Sequence, residues 1–538
     1  MLHVVQCSCL EKILPNAPLP SSPFHSAPLL MNEELAYQIV IHNDKDRSEK
    51  VEISVDSALF YHVHLVDCVS VTWPHYANDT KEYICDSPQA VPDCLIPFSV
   101  DQPLWINKNY TVLWVTIRPP FPGDFTIEFT FKAEREEATC VFSTHVLSAN
   151  IGEPYFTNDC YIDPIALSDY YQVPMFCDKH WEVIGKYMKL ASENGITGIM
   201  APVFTPEYEE YPSDGRILQL VDISCEGRNY NFLYDKLDCW VALAKKHGIK
   251  HFTVPPIFPT LEGPRHVKIY GTKDRHLIEL FADEPYPFPH YMAFLRKFLR
   301  ELIAHLKEKR WHMDFTFHFT TIPLFAHEKV YREFRPSMRD VLKWCPVQDY
   351  QVTYGFYMND VVSDPIVTLH EMCDYMEHLD MGVTGCFDII SHKDVINQLI
   401  ATPAVRLKAL GLLAYKYDIS GLFNLGFNYF SATTSGATAN PFMNTDYGGR
   451  YPSGSLSLTY PGAQEPYPSV RLKLIQHAMQ DVAILRKLEG QMSRNRLITL
   501  IDREFPISFK DCSLRVDRYW RLREKIFEFY EHHMKKMK

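Results

Sequence analysis

Residues 291–323 read YMAFLRKFLRELIAHLKEKRWHMDFTFHFTTIP, and two periods meet inside them. Tyr291, Phe294, Leu295, Phe298, Leu302 and Leu306 recur at three- and four-residue spacing, which gathers them into one apolar stripe on an amphipathic helix. From Met313 to Phe319 the residues alternate between apolar and polar, the period of a strand. A long helix running at once into a short aromatic strand is half of a βα repeat.

Outward from this stretch the pattern repeats. Strands are predicted near Tyr155–Asn158, Thr197–Val203, Lys250–Val254, Met313–Phe319, Tyr350–Tyr354, Pro365–Leu369, Gly382–Asp388 and Gly421–Phe427, with helical segments between them. Eight such alternations over about 280 residues fit a (β/α)8 TIM barrel, and a doubly wound sheet is the alternative. Before Asn150 the reading is different. Phe125, Ile127, Phe129 and Phe131 alternate with Thr126, Glu128 and Thr130, and Tyr37-Ile39-Ile41 and Val51-Ile53-Val55 repeat the theme, as in the short strands of a β-sandwich.

The expected fold class is therefore α/β with an all-β N-terminal domain. An arm or first edge occupies residues 1–30, a β-sandwich 31–150, a (β/α)8 barrel 151–490 and a helical extension 491–538. Helices are predicted over Ser469–Leu488 and Val516–Met534, and the stripe Tyr519, Leu522, Ile526 and Tyr530 is expected to pack on the barrel.

Composition narrows the function classes. Of 538 residues, 54 are basic and 66 acidic, a formal charge of −12, which removes the electrostatic case for nucleic acid or an anionic membrane. Lys535, Lys536 and Lys538 are read as a solvated helix end that complements the helix dipole. The 14 cysteines are scattered without a C-x-x-C pair, so neither a zinc site nor a disulfide framework is signalled. Reduced thiols, the lack of a basic-then-apolar leader and the lack of a run of ~18 apolar residues point to a soluble, cytoplasmic protein. His327-Glu328 and His370-Glu371 lack the second-ligand spacing of a metalloprotease helix, so no metal or other cofactor is expected.

Barrel enzymes place their chemistry where strands end. There the chain carries Asn158-Asp159-Cys160-Tyr161-Ile162-Asp163-Pro164 and Ala201-Pro202-Val203-Phe204-Thr205-Pro206. Further on come Thr402-Pro403-Ala404-Val405-Arg406, Tyr415-Lys416-Tyr417, Gly421–Phe430, Thr445-Asp446, Pro452-Ser453-Gly454, Tyr460-Pro461-Gly462 and Ser469-Val470-Arg471-Leu472. In order and spacing this text resembles glycoside hydrolase family 123 and the related domain of unknown function 4091, over essentially the whole chain. The resemblance implies a β-N-acetylgalactosaminidase mechanism in which the acetamido oxygen of the sugar attacks the anomeric carbon. An Asp-Glu dyad at the end of the fourth strand orients the acetamide and serves as general acid and base.

Those dyad positions read Thr321 and Ile322 here, between a retained His318 and Pro323. A threonine hydroxyl cannot stabilise an oxazolinium cation and isoleucine has no proton to give. Thr253 and Pro256 stand where the family pattern has Glu and His, Thr353 where it has Asp, and Asn424-Leu425 where it has His-Trp. Leu425 offers no indole face on which a sugar can stack.

Several side chains remain as candidates. Asp159 either holds a sugar hydroxyl or accepts backbone N–H bonds at its strand end. Tyr161 either lines the cleft or packs. Asp388 either faces the pocket and forms a relocated carboxylate pair with Asp159, or caps its loop toward Ser391 and His392. His318 either points to the old dyad site or is a buried, hydrogen-bonded structural residue. Asn428 and Asp446, matching family positions, either bind sugar or brace the loop from Tyr429 to Gly462, and Arg406 is expected to pair with a carboxylate of the scaffold.

The leading expectation is a carbohydrate-binding, glycoside-hydrolase-like pseudoenzyme whose partner is an N-acetylhexosamine-containing glycan. An active glycosidase with relocated carboxylates and a purely structural or interaction protein are the alternatives. Nothing in the sequence signals an oligomeric state.

Overall fold

The computed structural model describes residues 1–537 except 16, 21–22, 46, 80, 108, 153–155, 207–216, 228, 260–266, 283, 286–287, 322–327, 351, 376–382, 390–392 and 433–436. Its chain sorts into two compact units, one of residues 1–156, 389–418 and 439–538, the other of residues 157–388 and 419–438.

The first unit begins with an all-β sandwich of two five-stranded sheets. One sheet has the order Leu2–Ser8, Leu35–Asn43, Thr111–Ile117, Tyr61–Val71, Gln89–Pro97, and the other Leu29–Met31, Glu137–Asn150, Gly123–Lys132, Glu49–Ser57, Leu104–Ile106. The alternating faces meet as the sequence predicts: Tyr37, Ile39 and Ile41 of one sheet share a core with Ile127, Phe129 and Phe131 of the other. The Tyr37 ring stacks on Phe142 at 4.4 Å. Residues 2–8 are an edge strand, paired antiparallel from Leu2 opposite Asn43 to Ser8 opposite Tyr37.

Residues 389–418 and 439–490, expected with the barrel, cluster instead with the sandwich, and buried charge explains why. Arg471, opening the helix Val470–Glu489, meets the buried Asp93 of the sandwich at 2.9 Å, with Tyr460 donating to the same carboxylate at 2.6 Å. Arg523 reaches Glu33 at 2.5 Å and Lys473 reaches Glu34 at 3.1 Å. The stripe Tyr519, Leu522, Ile526 and Tyr530 is buried, and the packing partners of its helix, Val516–Met537, lie in this unit. Tyr519 donates to Asp481 of the helix Val470–Glu489, and Trp520 lies on Phe24 and donates to Ser8.

The second unit is an eight-stranded parallel barrel. Its strands are Thr157–Cys160, Gly198–Met200, His251–Val254, Phe315–Thr321, Val347–Tyr350, Pro365–Thr368, Thr384–Cys386 and Gly421–Asn424. The ring closes because the third strand pairs with the fourth and the eighth with the first. The helix Pro289–Glu308 buries the whole predicted stripe from Tyr291 to Leu306.

Within the second unit, two further features depart from the expected βα order. The fifth strand is Val347–Tyr350, and the aromatic text after it turns into a helix, Tyr354–Met358, because pairing with the neighbouring strands ends at Tyr350. A four-stranded sheet of Asp222–Glu226, Asn229–Leu233, Ile269–Lys273 and His276–Leu280 also interrupts the βα rhythm, its short, mixed-polarity strands giving no clear period. No helix among the described residues is long and apolar enough to cross a membrane.

Candidate active site in the barrel

The interior of the barrel is built in rows. Asp159 on the first strand pairs with Gly198 on one side and Phe423 on the other, and Gly198 pairs with His251. Side chains of one row share a face, so Asp159 and His251 point the same way with only a glycine between them. A Cβ at position 198 would collide with the Asp159 carboxylate.

Across that gap His251 Nδ1 donates to Asp159 at 2.5 Å, and its Nε2 is bonded to the Thr316 hydroxyl at 2.8 Å. The Thr197 hydroxyl donates to the other Asp159 oxygen at 3.2 Å. Burial alone would lower the His251 pKa, but the hydrogen bond and charge of Asp159, with Asp314 further off, outweigh it and hold the imidazolium above its ordinary range.

Threonine, histidine and aspartate in this order repeat the connectivity of a nucleophile, its base and the base's orienting acid. Their place in the barrel argues for another role. His251 opens the third strand and Thr316 is the second residue of the fourth, whereas barrel chemistry is carried at the opposite, C-terminal ends. The trio is a polar layer that braces the lower barrel, and Asp159 is spent in it.

Beside and beyond this layer most of the lumen is apolar. Tyr161 is buried with Met200, Tyr350, Ile366, Cys386 and Phe423, with Leu425 packed against them, so it belongs to the packing. His318 faces Phe423 edge-on, ring centroids 4.9 Å apart. With 1% of its surface exposed, it is pushed down to about 3 by burial, helped by the charge of His251. It is a neutral imidazole at physiological pH and cannot serve as a general acid there. The expectation that this histidine is hydrogen-bonded is corrected at Nε2, which, like the Thr253 hydroxyl, has no partner among the described residues.

At the end of the fourth strand, Thr321 pairs with Tyr350 after a register irregularity that begins at His318. Irregularities of this kind re-aim side chains beside active sites. Ile322, the second dyad position, lies outside the described residues, as do Ser391 and His392, the expected partners of an Asp388 cap.

Asp388 follows the seventh strand and is 5% exposed, its Oδ2 3.7 Å from His370 Nδ1 beyond the end of the sixth strand. Cys386 pairs with Phe423, which pairs with Asp159, so Asp388 lies two strands round from Asp159 and roughly 7 Å further along. The two carboxylates face different histidines.

Asn428 accepts from the Asp163 N–H at 2.8 Å and donates to the Asp163 carbonyl at 3.0 Å, tying the loop after the eighth strand to the one after the first. Asp163 itself caps the helix Pro164–Tyr170. Asp446 belongs to the first unit and holds its own turn, accepting from the Gly449 N–H at 3.2 Å. For both residues the bracing alternative describes the contacts. The sequence reading missed His251 and Thr316, and it weighed His370 only as a metal ligand. A histidine opening a strand, in register with a glycine and an aspartate, was the available signal for the first. Among the described residues no cluster of three or more histidine, cysteine, aspartate or glutamate side chains is placed to hold a metal ion.

Comparison with known proteins adds to this geometry. The family model for the glycoside hydrolase 123 catalytic domain matches residues 161–488. No curated protein sequence matches the chain. Among solved structures, a family 123 glycoside hydrolase from Clostridium perfringens, studied for glycolipid glycan hydrolysis, aligns over 100% of both chains with a TM-score of 0.77 at 14% identity, a likeness of fold. A β-glucuronidase from Parabacteroides merdae aligns over 88% of this chain and 51% of its own, with a TM-score of 0.33 at 10% identity, too distant to carry an argument.

Proposed function

The chain belongs to the glycoside hydrolase 123 family, and on that premise we propose that it is a carbohydrate-binding member with impaired hydrolysis. The ligand class we infer is an N-acetylhexosamine-containing glycan such as a glycolipid headgroup. The observation that carries the reading is the sequence Thr321-Ile322 at the positions where the resemblance expects the Asp-Glu dyad: a threonine hydroxyl is far too weak an acid to protonate the leaving group, and isoleucine has no proton to give. Two ionisable groups of the lumen do not replace the dyad. His318 is neutral, and Asp159 is committed to His251. Loss of general acid catalysis alone costs ~10²- to 10⁴-fold in rate.

Calorimetric titration with N-acetylgalactosamine-terminated oligosaccharides tests the binding half. Saturable binding is the expected result, and no heat with any member of the set would remove the sugar from the account.

Asp388 supports a second reading, because a buried carboxylate against His370 at the strand ends is the type of group that could act as a relocated acid. If so, Asp388→Asn abolishes whatever glycoside turnover the protein has; an unchanged rate dismisses this reading.

A further inference from the structure

Among its described residues the first unit buries five Lys and Arg side chains, Arg406, Lys408, Arg471, Lys473 and Arg523. Four of them meet a carboxylate: Lys408 reaches Asp481 at 2.7 Å, Arg471 Asp93, Lys473 Glu34 and Arg523 Glu33. Arg406 is the exception. Its side chain is 4% exposed, its Nε and Nη1 are buried with no acceptor, and no carboxylate lies within ion-pair distance among the described residues. The expected scaffold carboxylate is not there.

Its neighbours have nothing left to give. The guanidinium carbon lies 5.7 Å from the centre of the Tyr83 ring, whose hydroxyl donates to Asp79 and accepts from Asn397. The Asp79 charge is taken by Lys81 at 2.8 Å, and the Asn397 oxygen accepts from Leu399 and Thr402. Cys512 is close, but burial pushes its thiol up to about 12 against the opposing charge of Arg406, so it stays uncharged.

A guanidinium cannot shed its proton to escape burial, and an aromatic face offsets only part of the lost hydration. A buried water would satisfy the N–H groups but not the charge. We propose that Arg406 binds a small inorganic anion of the chloride class, which supplies the counter-charge that the other four buried cations receive from carboxylates. So little exposed surface leaves no open face for a polyatomic ligand such as a sugar acid.

The test is thermal unfolding of the full chain at constant ionic strength, with gluconate replaced stepwise by chloride. The wild-type Tm is expected to rise saturably by about 2–4 °C, while Arg406→Met stays flat. Equal Tm in the two anions, or the same rise in Arg406→Met, would overturn the proposal. Should that variant fail to fold, wild-type crystals grown in bromide decide the matter. An anomalous peak beside Nε or Nη1 supports the site, and an ordered water without anomalous signal there refutes it.

Discussion

The scaffold of the first unit and the lumen of the barrel treat buried charge differently. Where sandwich and helices meet, cations and carboxylates are brought together and the carboxylates are held below their usual range, as with Arg471 and Asp93 or Lys473 and Glu34. In the lumen Asp159 meets a histidine, His251, low in the barrel, and His318 above it is neutral. On the proposed reading, the scaffold keeps its electrostatics while Thr321 and Ile322 leave the expected dyad positions without a carboxylate.

The contrast can be broken most forcefully at Asp93. Asp93→Ala leaves Arg471 fully buried without its counter-charge, and the urea midpoint should fall by the equivalent of about 3–5 kcal/mol. A loss below about 1 kcal/mol would show that the scaffold pairs are replaceable.

His318 comes next. Its folded pKa of about 3 lies below the unfolded value, so the unfolded chain binds the proton first as pH falls. Its contribution is complete above about pH 6.5 and is lost toward acid at about 1.4 kcal/mol per pH unit. Denaturation of His318→Phe measured across acidic pH should show a shallower acid limb than the wild type, and an identical limb would mean that His318 is not held neutral.

His251 has the opposite sign. Its folded pKa is raised, so its contribution is complete below the unfolded value and lost as pH rises through the folded one. Asp159→Asn should cost about 1.5–3 kcal/mol at neutral pH and remove that alkaline decline. Smaller still, Asn428→Ala should cost about 1 kcal/mol by releasing the Asp163 backbone, with no effect on either pH limb.

These predictions rest on contacts that the sequence revealed unevenly. Period alone placed the strand Phe315–Thr321, the helix Pro289–Glu308 and the interlocking faces of the sandwich, because each is repeated over many residues. It misplaced the fifth strand, where four ladder residues are too few to set a period, and it could not see that the helix Val470–Glu489 joins the sandwich through single ion pairs. At the site, Thr321 and Ile322 were legible as text. The bond from His251 to Asp159 spans 92 residues and follows only from the register of three strands, and the neutrality of His318 follows from burial that no local pattern announces.

Impaired hydrolysis is read out by fluorophore release from an aryl β-N-acetylgalactosaminide, using the purified chain at high concentration beside a boiled control. No release above the control is the predicted result. Sustained turnover, unchanged when Thr321 is replaced by alanine, would show that another acid has taken over the chemistry and would contradict the account.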